Sequence, residues 1–153
     1  MFDARQIANW FILRAKRDGK VLSIMQLLKL VYIAHGWHLE MRNRPLFFNR
    51  IEVWRRGPVI RDIYTEFRNK GIDVHEPSTG HLVELPPEYD RFLEQIYDIY
   101  GKKSAYELSD LTHKPGSPWD MVHKSKGLFA TITDDVIRPH YIGLREAARK
   151  TLH

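Results

Sequence analysis

From Leu27 to Met41 the apolar residues of this chain fall on nearly every side of a helix (Leu27, Leu28, Leu30, Val31, Ile33, Ala34, Trp37 and Leu39). A surface helix carries one apolar stripe, so a helix apolar almost all round has to be enclosed by the rest of the fold. Its start is marked too: Ser23 and Gln26 stand at capping-box spacing, and Leu22 and Leu27 bracket them as a hydrophobic staple. Lys29, His35 and His38 interrupt the run, so it falls short of the roughly 18 apolar residues of a membrane span. This segment is expected to be the core helix around which everything else packs.

The remaining punctuation predicts mainly helix. Asp3 with Gln6 caps a first helix buried through Ala4, Ile7, Ala8, Phe11 and Ala15 and stopped at Gly19. Leu46 to Trp54, aromatic and β-branched, predicts a small hairpin turning at Asn49-Arg50. Gly57-Pro58 predicts the opening of a third helix with proline at its first position and Val59, Ile60, Ile63, Tyr64 and Phe67 inward. Ile72–His75 and His81–Leu85 predict a second hairpin, and Pro87–Tyr100 a fourth helix stopped by Gly101. Ser104 with Glu107, and Ser117 followed by Pro118 and Asp120, cap two more short helices; a last helix near 134–149 contains Pro139, where a kink is expected. The expected class is mainly α (α+β): a compact helical fold around a central apolar helix, with a small antiparallel sheet or hairpins.

With 153 residues, 43% of them hydrophobic, and no repeat or linker, one domain over residues 1–153 is expected. The absence of cysteine removes disulfides, thiolate nucleophiles, Cys-ligated zinc and iron–sulfur clusters. The opening MFDARQIANW has no secretory-signal pattern, so a cytoplasmic location without membrane association is expected.

Several residue groups invite a chemical reading. His35 and His38, at i and i+3, share a helix face and could begin a zinc site, but no third ligand is evident nearby; core histidines hydrogen-bonded at the helix end are the preferred reading. Gly101-Lys102-Lys103-Ser104 lacks the glycine-rich start of a phosphate loop and reads as a helix stop followed by a cap. Ser109, Asp110 and His113 hold triad residue types without a nucleophile elbow. Glu88, Asp90 and Glu94 make an acidic helix face, read as solvated surface. No catalytic residue, metal or cofactor is assigned, and the expectation is a non-enzyme.

Charge is distributed unevenly. Residues 1–70 carry 14 Lys and Arg against 6 Asp and Glu, a net of +8, whereas residues 71–153 carry 10 against 13, a net of −3. Arg50, Arg55 and Arg56 flank Trp54, with Arg61 and Arg68 following. Basic groups around an aromatic suit a nucleic-acid backbone and a stacked base. Trp and Arg equally dominate protein-binding hot spots, and an acidic protein would be steered to them.

Three segments, in order and in register, resemble the Panacea antitoxin domain family, also called SocA-like or GepA-type. They are Leu27–Trp37; Trp54-Arg55-Arg56-Gly57-Pro58-Val59 with Ile63, Tyr64 and Phe67; and Ser104–Ser109 with Thr112, His113, Pro118 and Trp119. The similarity spans roughly residues 4–142, and Leu28 departs from the glutamine the family often places before the core-helix lysine. The resemblance implies a bacterial, prophage or phage toxin–antitoxin component, a non-enzymatic domain that binds and neutralises a cognate protein toxin encoded beside it. In one branch such a domain delivers the toxin to a Clp-type protease. A nucleic-acid-binding autorepressor is a third reading, less favoured. Among the motif residues, Lys29, Tyr32, His35, Gly57, Pro58, Tyr64, Thr112, His113, Pro118 and Trp119 are read as structural. Arg50, Trp54, Arg55, Arg56 and Arg61 are the expected partner-binding surface.

Overall fold

A computed structural model describes residues 1–151. In chain order the described residues form α1 (Ala4–Arg17), β1 (Leu22–Ser23), α2 (Ile24–Arg42), β2 (Ile51–Trp54), β3 (Gly57–Ile60), α3 (Arg61–Phe67), β4 (Asp73–Val74), α4 (Pro87–Tyr100), α5 (Ala105–Thr112), α6 (Pro118–Lys126) and α7 (Asp134–Thr151), with short 3₁₀ turns at Arg68–Lys70 and Thr79–His81. The class is mainly α with two small antiparallel strand pairs, β1–β4 and β2–β3.

The all-round apolar helix is α2, and it lies at the centre: α1, α3, α4, α5 and α7 all pack on it, as does β3. Its buried set, from Leu27 to Glu40, includes side chains on every face and contains Lys29, His35 and His38. The caps form as their spacing predicts. Asp3 with Gln6, Ser23 with Gln26 and Ser104 with Glu107 close reciprocal capping boxes, and Ser117 accepts from the Asp120 N–H with Pro118 at the first helical position. Through Pro139 the last helix remains assigned as one element.

Three local expectations are corrected. The first hairpin lies further along the chain: β2 pairs with β3 from Ile51↔Ile60 to Trp54↔Gly57, so Arg55 and Arg56 form the turn. Asn49 is instead a buried tether, accepting from the Ala4 N–H at 2.7 Å and donating to Asp62 at 2.8 Å. Gly57 and Pro58 therefore belong to a strand, not a helix start, and α3 opens at Arg61. The second hairpin does not form: Asp73–Val74 pairs back to Leu22–Ser23 at the start of α2. Its other arm is drawn away because Asn9, inside α1, clasps Ser78 through both its backbone N–H (2.7 Å) and C=O (2.8 Å).

The acidic face of α4 is stitched to the basic half of the chain. Glu94 pairs with Arg14 at 2.8 Å, Glu88 with Arg42 at 3.2 Å, and Asp90 accepts the Trp10 indole N–H at 2.7 Å. Glu76 likewise meets Lys16 at 3.0 Å. Part of the +8/−3 asymmetry is thus used internally, by charges of opposite sign brought together from the two halves.

Candidate functional site

Residues from all three motif segments meet at the backbone of the Arg55–Arg56 turn. From α2, Lys29 Nζ donates to the Pro58 carbonyl at 2.8 Å. From α5, Ser109 Oγ donates to the Arg56 carbonyl at 2.6 Å. From α6, Trp119 Nε1 donates to the Trp54 carbonyl at 2.7 Å. Three alternate carbonyls of the hairpin are thus each held by a side chain from a different helix. Gly57 sits between them at φ +124°, and a Cβ there would come within 3.1 Å of Lys29 Cε and Nζ and 3.4 Å of Thr112 Oγ1. Only glycine combines that φ with that proximity. Arg55 and Arg56 keep negative φ, so Gly57 supplies the backbone freedom that two-residue turns normally place within the turn.

Burial sets the electrostatics of this joint. Lys29 is fully buried, and desolvation pushes its amine down to about 7. Thr112 turns its hydroxyl back to the Leu108 carbonyl at 2.8 Å, leaving a compact wall beside Gly57. His113 ends α5, its ring donating to the Ser109 carbonyl and standing edge-on to Trp119 at 5.4 Å. Pro118 is buried at the α6 start. Tyr32 and His35 lie further along α2, away from the turn. Tyr32 packs near Tyr141 with its ring centroid 6.5 Å away. His35 lies against Phe47 and meets Asp134 at 2.8 Å through Nε2. His38 instead bonds the Arg44 carbonyl through Nδ1 at 2.6 Å, so the two histidines take separate partners in the core.

The five residues expected to form the partner surface divide into two groups. Arg50, Trp54 and Arg61 gather on Glu52, which is only 4% exposed: Arg61 contributes a paired contact down to 2.8 Å, Trp54 Nε1 donates at 2.9 Å, and Arg50 stands 3.5 Å away. The Arg61 guanidinium also covers the Trp54 ring at 5.5 Å, and Tyr64 meets that ring edge-on at 4.9 Å. Arg50 further donates to the Phe129 carbonyl at 2.8 Å. Arg55 and Arg56, exposed at the turn, make no ion pair among the described residues. Strand alternation puts Glu52 and Trp54 on one face, and that period was the only signal in the sequence that could have revealed their pairing.

Burial works to raise the Glu52 carboxyl, but hydrogen bonds from Arg61 and Trp54, with the charges of Arg61 and Arg50, outweigh it and hold the group below 4.5. Because the folded value lies below the unfolded one, this stabilisation is present above about pH 4.5 and is lost as pH falls through the depressed value. Glu52→Gln is expected to lose about 1–2 kcal/mol at pH 7 by urea denaturation. The gap from wild type should narrow in acid; an equal gap at pH 7 and pH 3 would refute the assignment.

Two serine–histidine groupings have their serine hydroxyls engaged elsewhere. The hydroxyl proton of Ser109 goes to the Arg56 carbonyl, so within the Ser109–Asp110–His113 group the serine clasps the turn. Ser78 Oγ lies 2.9 Å from His81 Nδ1, with His81 Nε2 4.0 Å from Asp3, but Ser78 is buried and gives its proton to Glu66.

A motif spread over three segments and closing on one hairpin describes a shared scaffold, and the chain belongs to the antitoxin SocA-like, Panacea domain family, whose model matches residues 27–120. Those residues run from the core of α2 to the first turn of α6 and include every side chain that holds the hairpin carbonyls. Among characterised proteins the chain is similar to Antitoxin SocA of Caulobacter vibrioides (strain NA1000 / CB15N), with 30% identity over 91% of this chain and 82% of that protein. No solved structure matches it significantly. No helix among the described residues is long and apolar enough to cross a membrane.

Proposed function

We propose that this protein is an antitoxin that neutralises a cognate protein toxin by direct contact, with Arg55 and Arg56 facing the toxin while Arg50, Trp54 and Arg61, engaged by Glu52, frame the turn beside them. Membership of an antitoxin family carries the reading. The turn supports it: two exposed arginines stand on a backbone fixed at three carbonyls, and a charged element held in place in this way binds with little ordering cost.

Co-expression with the neighbouring open reading frame tests the reading. That product alone should arrest growth, and growth should return when this chain is present. Toxin abundance should stay unchanged during rescue, as sequestration requires. A neighbour that is harmless alone, or that remains toxic beside this chain, overturns the proposal. Falling toxin levels that recover in a Clp-deficient strain would replace sequestration with delivery to a protease.

A further inference from the structure

We infer that the toxin docks in the groove beside the Arg55–Arg56 turn, and that the segment it places there carries carboxylates around an aliphatic or aromatic anchor. The inference deepens the antitoxin reading and rests on it. The groove, about 510 Å³, lies between the first turn of α2, the hairpin turn, the approach to β4 and the α5 helix. Ile24, Met25, Ile72 and Tyr106 give it an apolar lining, and Ile72 and Tyr106 are 80% and 83% exposed. Large apolar side chains so far out of the core, on the rim of one concavity, have the composition of a binding hot spot in a free chain.

Charge selects the occupant. Arg14, Arg42, Arg50 and Arg61 are each paired with a carboxylate of this chain, whereas Arg55 and Arg56 on the groove wall make no ion pair among the described residues. Asp110 and His113 also line the groove, so two guanidinium groups face one carboxylate and the rim is left positive. A nucleic acid would answer the arginines with phosphate and could stack on Tyr106, yet it would set Ile24, Met25 and Ile72 against nothing apolar. A protein segment with acidic side chains about an apolar anchor answers both. Arg50 and Arg61, already bound to Glu52, are thereby removed from the contact.

The purified product of the neighbouring open reading frame, titrated with full-length variants of this chain, tests the inference. Arg55→Glu/Arg56→Glu is expected to weaken binding tenfold or more, with a slower on-rate and a flatter salt dependence. Tyr106→Ser and Ile72→Ser should each weaken it several-fold through the off-rate. All these side chains are exposed, so melting temperatures should stay near wild type. Phe48→Ser, in a separate hollow beside Arg50, should bind as wild type does. Reversing acidic residues of the toxin to arginine should restore binding to the Arg55→Glu/Arg56→Glu variant. Undiminished binding by the groove variants, with wild-type neutralisation intact, overturns the groove and leaves the antitoxin function standing. A wild-type chain that binds the neighbour's product but fails to neutralise it overturns the function and leaves the groove standing. Loss confined to duplex DNA binding, or to self-association of the wild-type chain, would replace the toxin with a nucleic acid or a second copy.

Discussion

Gly36→Ala is expected to destabilise the protein by about 3 kcal/mol, lowering its melting temperature by about 10 °C. Gly36 lies in the middle of α2, where a single alanine would ordinarily favour the helix. Here the ring of Tyr141, from α7, rests on the bare α-carbon: a Cβ would stand 2.2 Å from its Cε2, 2.4 Å from Cζ and 2.6 Å from Cδ2. Three ring atoms at such distances cannot be accommodated by small shifts. The ring has to leave a buried site where it packs edge-on to Trp37 at 5.0 Å, and α7 loses one of its anchors on the core helix. A double-mutant cycle with Tyr141→Leu gives the decisive reading. The second substitution removes the obstacle, so the alanine should cost far less in the Tyr141→Leu background, with coupling of 1 kcal/mol or more. Additive losses would mean that the ring does not lie over Gly36.

Lys29→Met is expected to change how stability depends on pH more than stability at any single pH. Burial pushes the Lys29 amine to about 7, whereas the unfolded chain holds that proton to about 10.5. Between these values the unfolded state binds more protons, so stability rises with pH; below pH 7 both states are protonated and the penalty of the buried charge is present in full. Relative to Lys29→Met, the wild-type chain should gain about 3 kcal/mol between pH 7 and pH 9.5, measured by urea denaturation. Subtracting the variant's curve removes the other titrating groups. Tyr97, Tyr100 and Tyr141 are shifted upward by burial and act in the opposite direction at higher pH, which sets the upper limit of the useful window. Parallel curves would show that the Lys29 amine is hydrated. At neutral pH the variant gives up the bond to the Pro58 carbonyl but also removes a desolvated amine, two effects of opposite sign.

The helices were legible because their signals are local. The capping residues Asp3, Ser23, Ser104 and Ser117 sit three residues from the N–H groups they satisfy or the side chains that answer them, and the encircled apolar pattern of α2 is complete within 15 residues. The hairpin was displaced because its determinants are distant. Lys29, Ser109 and Trp119 stand 29, 53 and 65 residues from the carbonyls they hold, and the glycine that permits the turn follows it instead of occupying it. Ile72–His75 reads as one arm of a local hairpin, and nothing nearby reveals that Leu22 and Ser23 will claim Asp73 and Val74 within it or that Asn9 will hold Ser78. The same logic governs the site. The basic cluster around Trp54 is visible in one dimension, but its division into arginines engaged by Glu52 and arginines left unpaired depends on which face of β2 each side chain occupies. The exposure of Ile72 and Tyr106 is a property of the assembled fold alone.

The three bonds that fix the hairpin all end on carbonyl oxygens, and every amino acid carries one. What stands at positions 55 and 56 is therefore chemically independent of what holds the turn in place. A pair of glutamates, or a serine and a leucine, could occupy the same turn on the same scaffold and present a different chemistry to the same groove. The lysine, glycine, serine and tryptophan around the turn hold its backbone, and the two side chains mounted on it are free to vary without disturbing the core.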